Sequence, residues 1–206
     1  MIDHNKDNDI LLIVDFQNDF VTGSLAVKGA LNLTPKIKSY IDKFRHVIFS
    51  IDWHPERHCS FIDRGGTWPE HCIQNTEGSE IYDEILKHTK QGFVTFPKGY
   101  VIGKEDYSVF ANPNFVDYFI DWLMYNPKEK KGIYVCGLAT DYCVKSTVLD
   151  ACKLVHPVAS NRVTVYLLTD AIAAVNVKEY DGLKAISEMS KACALPIVFS
   201  DIKWEE

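Results

Sequence analysis

The chain of 206 residues carries 22 Lys and Arg against 28 Asp and Glu, a formal net charge of −6, and 47% of its residues are hydrophobic. That length closes one α/β core and is short for two, so a single domain over residues 1–206 is expected. No basic block is longer than Lys128-Glu129-Lys130-Lys131, which argues against a phosphate-backbone footprint and against nucleic acid as a partner.

The opening MIDHNKDNDI holds acidic groups and no apolar core of leader length, and the first apolar run is only Ile10-Leu11-Leu12-Ile13-Val14. A cytoplasmic protein is expected, with the nucleus left open, neither secreted nor bound to a membrane. In that compartment Cys59, Cys72, Cys136, Cys143, Cys152 and Cys193 are read as reduced thiols and not as a disulfide scaffold.

In chain order, strand-length apolar runs occupy residues 10–14, 47–51, 93–96, 133–136 and 163–168, with a short sixth at 196–199. They lack period-two alternation, as strands buried on both faces do, and are expected to be parallel. Helices are predicted at 33–44, 79–87, 114–125, 143–154 and 181–193, the last with Leu183, Ile186, Met189 and Ser190 on one face. Strand alternating with helix predicts a three-layer, doubly wound, mainly parallel six-stranded sheet with helices on both faces. Ligands of such sheets bind beyond the carboxyl ends of the strands. Residues 53–78 break the alternation with a long connection rich in His, Gly, Pro and Cys, whereas 127–131 reads as a charged turn.

Three strand ends carry polar side chains. The first run ends in Asp15, the second in Asp52 followed by His54 and His58, with His71 further along the loop, and the third in Lys98. Asp52 and His54, two apart in extended chain, point to one side, and a returning loop can deliver a third ligand to an open catalytic metal. The alternatives are a closed zinc knot that recruits Cys59 and Cys72, or surface histidines without metal. Lys104 is a second candidate lysine, in a neighbourhood that reads as an exposed turn. Cys143 closes LATDYC between the fourth run and a helix, where the helix dipole favours a thiolate. Taken together, Asp15, Lys98 and Cys143 are a base, an electrostatic support and a nucleophile for attack on a carbonyl.

The segments LIVDFQNDF, DWHP with HCSF, TWPEHC, KG followed by YSVF, and CGLATDYCVK occur in the order seen in the nicotinamidase branch of the isochorismatase-like hydrolases, and the chain resembles that family over about residues 10–150. The resemblance implies the isochorismatase-like hydrolase fold and hydrolysis of nicotinamide to nicotinate and ammonia, in NAD salvage. It makes Asp15, Lys98 and Cys143 the catalytic triad. Asp52, His54 and His71 become ligands of one divalent metal, zinc first, with iron or manganese as alternatives, and His58 a further ligand or a group behind them. Phe20, Trp68 and Tyr107 match aromatic positions that wall the substrate pocket. A cis peptide between Leu138 and Ala139 is also implied, with the Ala139 and Cys143 amides as the oxyanion hole.

The implied partner is the small-molecule substrate, and a homo-oligomer is left open. Two departures stand out: Val21-Thr22-Gly23-Ser24 replaces a turn with proline and paired glycines, and residues 155–162, with His156-Pro157, make a longer connection than expected. A related carboxamide or N-carbamoyl amidase would share the triad without needing the metal. A zinc-binding interaction module would explain the His and Cys loop but not Asp15, Lys98 or LATDYC.

Overall fold

The computed structural model describes residues 1–89, 92–159 and 161–204. Along the chain these form β1 (Ile2–Asp3), β2 (Ile10–Val14), α1 (Asn18–Val21), α2 (Ala30–Ile41), β3 (His46–Asp52), α3 (Asp83–His88) and β4 (Phe93–Lys98). There follow α4 (Pro113–Met124), β5 (Lys131–Leu138), α5 (Lys145–Ala159), β6 (Val163–Ala173), α6 (Asp181–Ala192), β7 (Leu195–Ile197) and β8 (Ile202–Lys203).

Six strands make one parallel sheet in the order β4-β3-β2-β5-β6-β7, and β1 pairs with β8 in a separate two-stranded parallel ribbon. The chain winds outward from β2 to β3 and β4, then returns to the other side of β2 for β5, β6 and β7. The strand order therefore reverses between β2 and β5, the position at which such sheets open a crevice beyond their carboxyl ends.

All five residues of β2 are buried, because both of its faces are covered. Ile10, Leu12 and Val14 join Ile133 and Val135 under Phe115 and Phe119 of α4, Val148 and Ala151 of α5, and Met189 of α6. Leu11 and Ile13 pack with Val47, Phe49 and Cys136 under Ile37, Tyr40 and Ile41 of α2 and Ile85 of α3. This two-sided burial explains the unbroken apolar runs of the sequence. Asn112 caps α4 by accepting from the Asn114 amide at 2.9 Å, ahead of Pro113 at the first helical position. At the other end of α4, Lys131 Nζ donates to the Trp122 and Tyr125 carbonyls and Arg162 donates to Leu123, satisfying otherwise unpaired acceptors.

Three sequence expectations are corrected. The face of α6 that meets the core is Gly182, Ala185 and Met189, with Ile186 partly buried, whereas Leu183 is 63% exposed. The helix after the nucleophile runs on through Pro157 to Ala159, so most of the supposed connection at 155–162 is helical, and Ser160 lies outside the described residues. Val155 and Ala159, four apart, both bury into the core, which offsets the backbone hydrogen bond that Pro157 cannot make. Finally, α5 and α6 bring Cys152 and Cys193 to a Cα separation of 5.8 Å, where they are joined as a disulfide, while Cys59, Cys72, Cys136 and Cys143 remain free. No helix among the described residues is long and apolar enough to cross a membrane.

Candidate active site

Asp15 follows β2 directly and turns the chain with φ +47, a left-handed conformation that Asp tolerates better than most residues. Its amide donates to the Ser50 carbonyl at 3.1 Å, and the Ser50 hydroxyl donates to Asp15 Oδ1 at 2.8 Å. Asp52 and Lys98 are register partners at the ends of β3 and β4. Gly137, next to the end of β5, has φ +108, and a Cβ there would stand 2.1 Å from the Val14 carbonyl oxygen, so only glycine lets β5 lie this close to β2. The chain then passes through the Leu138–Ala139 peptide, which is cis, into a wide turn over Thr140–Val144 closed by the Val144 amide on the Ala139 carbonyl at 3.1 Å. Cys143 sits in that π-type turn, just before α5 begins.

Lys98 is fully buried, and its ammonium is the hub of the site. Nζ lies 2.9 Å from Asp15 Oδ2 and 2.5 Å from Asp52 Oδ1, and it donates to Cys143 Sγ at 3.3 Å and to the Asp106 carbonyl at 3.3 Å. Burial disfavours its charge, but the Asp15 and Asp52 carboxylates outweigh that and hold Lys98 firmly protonated. Burial likewise raises the Asp15 carboxyl above its ordinary value, against the pull of Lys98. For Asp52 the balance reverses: burial is overcome by Lys98 and then by the neighbouring His54, so it stays well below the usual carboxylate range.

The thiol departs from the sequence reading. Burial pushes Cys143 well above the ordinary thiol value, against the lowering effect of Lys98. The resting nucleophile is therefore a protonated thiol that needs a base, and a carboxylate oxygen of Asp15 lies within 4.8 Å of the sulfur. The helix start does not overcome loss of solvation here.

A second cluster adjoins the first. One ligand atom each from Asp52, His54 and His71 lie within 4.8 Å of one another, and all three residues are buried. His54 Nδ1 donates to the Gly99 carbonyl at 2.8 Å and His71 Nδ1 donates to the Pro69 carbonyl at 2.7 Å. With each Nδ1 committed to a carbonyl, it is Nε2 that faces Asp52, at 3.6 Å for His54 and 4.0 Å for His71 from its Oδ2. Two imidazoles fixed by carbonyls and one carboxylate held ionised are the donor set of an open divalent-metal site. Those residues fit a metal.

His58 is placed differently. It stacks on His54 at 4.2 Å, its Nδ1 faces the Ser60 hydroxyl at 2.7 Å, and its Nε2 donates to the Lys104 carbonyl at 2.9 Å. The thiols of Cys59 and Cys72 join none of the metal-competent clusters among the described residues, and Cys72 Sγ instead faces the Gly78 carbonyl.

Phe20, Trp68, Tyr107 and Tyr142 wall a pocket that has Cys143, Ala139, Asp52 and His71 on its floor. Trp68 Nε1 donates to the Tyr107 hydroxyl at 3.1 Å, and its ring meets Tyr142 edge-on at 4.9 Å. Burial pushes the Tyr107 phenol up to about 12, so it remains a neutral wall.

The Isochorismatase domain family matches residues 9–198, nearly the whole chain. The chain belongs to the isochorismatase family, in its nicotinamidase branch. This isochorismatase-family chain is 36% identical to a nicotinamidase of Escherichia coli, over 95% of its own length and 96% of that relative. Among solved structures it is similar to PnC1 from L. infantum in complex with nicotinate, at a TM-score of 0.83 and 32% identity over 99% of each chain. It is also similar to the pyrazinamidase of Pyrococcus horikoshii in complex with zinc, at a TM-score of 0.77 and 35% identity over 93% of this chain and 99% of that one.

Asp15, Lys98 and Cys143, the cluster of Asp52, His54 and His71, and the aromatic residues Phe20, Trp68 and Tyr107 meet at this one crevice of the isochorismatase-family fold, with His58 behind His54. Lys104 does not, since its ammonium is exposed and pairs with Asp106 at 2.8 Å. The same turn hides a residue that sequence reasoning passed over: Glu105 lines the pocket, within 4.8 Å of His54 and His58, and burial and the Asp52 carboxylate raise its carboxyl. Gln17 was also missed. Fully buried, it accepts from the Asp52 amide at 2.8 Å and donates to the Asp52 carbonyl at 2.7 Å and to the Ser79 carbonyl at 2.8 Å, gripping Asp52 by its backbone. An amide side chain two residues past the strand-end Asp15 was its only trace in the sequence.

Proposed function

We propose that the protein hydrolyses nicotinamide to nicotinate and ammonia through a thioester on Cys143. The observation that carries this reading is the Lys98 ammonium, which touches the Asp15 carboxylate, the Asp52 carboxylate and the Cys143 sulfur together and so joins the nucleophile to the metal-competent cluster. The nicotinamidase name of the E. coli relative and the nicotinate in the L. infantum complex support the same substrate.

Asp15 takes the Cys143 proton while Lys98 offsets the charge that forms on sulfur. The sulfur attacks the carboxamide carbon, and the Ala139 and Cys143 amides receive the oxyanion. Asp15 returns its proton to the nitrogen, which leaves as ammonia. A water, deprotonated by the same carboxylate, cleaves the thioester, releases nicotinate and restores the thiol. Phe20, Trp68 and Tyr107 hold the ring. Asp52, His54 and His71 would bind a divalent cation, zinc before iron or manganese, which supplies a Lewis-acid contact for the pyridine nitrogen and so orients the ring. An N-carbamoyl amidase would use the same triad, but it leaves the convergence of Asp52, His54 and His71 without a purpose.

The test is ammonia release from nicotinamide by purified protein with and without a chelator, with activity lost on metal removal and restored by zinc. Benzamide keeps the carboxamide and lacks the ring nitrogen. Its kcat/KM is expected to fall at least about a hundredfold below that of nicotinamide in the metallated enzyme, equivalent to about 2.7 kcal/mol of transition-state stabilisation. Comparable values for the two amides would remove the ring-anchoring role. A second pair of variants separates the open site from a zinc knot. His71→Ala is expected to lower metal content and turnover together, while Cys59→Ser and Cys72→Ser keep the parent's metal content. Metal loss in the cysteine variants would reassign the ligands.

A further inference from the structure

Asp19 takes no part in the chemistry above, yet its carboxylate is bound to two loops that reach the pocket. Oδ2 accepts from the Cys72 amide at 2.7 Å, and Oδ1 accepts from the Ser24 amide at 3.2 Å. Cys72 follows His71 immediately and is held at φ +46, a left-handed conformation that a cysteine adopts only when its surroundings enforce it. Ser24 precedes Leu25, which lines the pocket, and its hydroxyl donates to the Glu70 carbonyl at 2.8 Å, one residue before His71. Gly78, at the far end of the same long loop, closes against the carboxylate: a Cβ there would lie 2.1 Å from Asp19 Oδ2.

The three metal-competent side chains do not arrive with equal support. Asp52 ends β3 and is gripped by Gln17, and His54 follows two residues later with its ring tied to the Gly99 carbonyl. His71 comes from the loop, and its own ring anchor, the Pro69 carbonyl, belongs to that loop and moves with it. The backbone beside His71 is tied to the end of β3 by the His54 amide donating to the Cys72 carbonyl at 2.9 Å and the Gln74 amide donating to the His54 carbonyl at 2.9 Å. It is tied to α1 by the charge-assisted bond from the Cys72 amide to Asp19, the one of these ties that a side chain supplies. We propose that Asp19 is a positioning residue that fixes His71 through the Cys72 amide and thereby sets the affinity of the site for its cation. This rests on the reading of Asp52, His54 and His71 as the metal site.

Zinc affinity, measured on metal-stripped protein by competition with a chromogenic chelator, tests it. Asp19→Asn leaves one acceptor for two amides, and Gly78→Ala keeps the carboxylate but displaces it. Both are expected to weaken zinc binding by about ten- to a hundredfold, the range seen when a group behind a metal ligand is lost. Turnover of nicotinamide is expected to return toward the parent value at saturating zinc, which a general folding defect would not allow. Unchanged zinc affinity in a folded variant would overturn the role of Asp19. Should Asp19→Asn fail to fold, Gly78→Ala decides alone. A parent protein with no zinc affinity would instead overturn the metal assignment, and this proposal with it.

Discussion

Cys143→Ala is expected to lower nicotinamide turnover by several orders of magnitude while leaving the fold and the zinc content of the protein unchanged. The sulfur is the one nucleophile on the pocket floor that has both a base and an ammonium beside it, and no neighbouring group can replace it in forming a thioester. Its structural contribution is small. Removing one buried sulfur leaves a gap near the size of a methyl group, a cost on the order of 1 kcal/mol, far below the loss expected in the barrier. Rapid quenching followed by intact-mass analysis should show one nicotinoyl group on the parent and none on the variant. Turnover above roughly a hundredth of the parent rate, about 2.7 kcal/mol in the barrier, would take Cys143 out of the mechanism.

Lys98→Met is expected to damage both activity and stability, because the ammonium is shared by two buried carboxylates. Without it Asp15 and Asp52 face each other unpaired, and breaking a buried ion pair by removing one partner costs about 3–5 kcal/mol. Asp15, already raised by burial, then binds a proton more tightly and ceases to serve as a base, so turnover should fall by about three orders of magnitude, near 4 kcal/mol in the barrier. The stability loss has a pH signature. A carboxyl whose folded pKa lies above its unfolded value stabilises the fold below the unfolded pKa, and that contribution is lost as pH rises through the folded pKa. Relative to the parent, Lys98→Met should therefore be less impaired in mildly acid than in alkaline solution when unfolding is followed with denaturant. A deficit that does not vary with pH would show that the carboxylates are not left unpaired.

The strands could be read from the chain because burial on both faces writes an unbroken apolar run. Ile10–Val14 is a strand over the same five residues in sequence and structure. The site could be read because a parallel sheet places whatever follows each strand at one edge, so Asp15, Asp52, Lys98 and Cys143 needed only their position after apolar runs to be brought together. Helix ends were less legible. α5 passes through Pro157 because Val155 and Ala159 find the core, and Leu183 faces outward because α6 packs through Gly182 and Ala185.

What the tertiary structure alone decided are quantities that depend on distance between residues far apart in the chain. Cys152 and Cys193 pair across 41 residues because two helices cross at that point, which no spacing rule contains. Gln17 and Asp19 stand in the LIVDFQNDF segment, but their partners, the Asp52 backbone and the Cys72 amide, are brought to them only by the fold. The protonation of Cys143 is likewise set by the fold. A helix start favours the thiolate by a local field that sequence reveals, whereas the loss of water around a buried sulfur is set by every element packed over it, and that larger effect exists only in the folded chain.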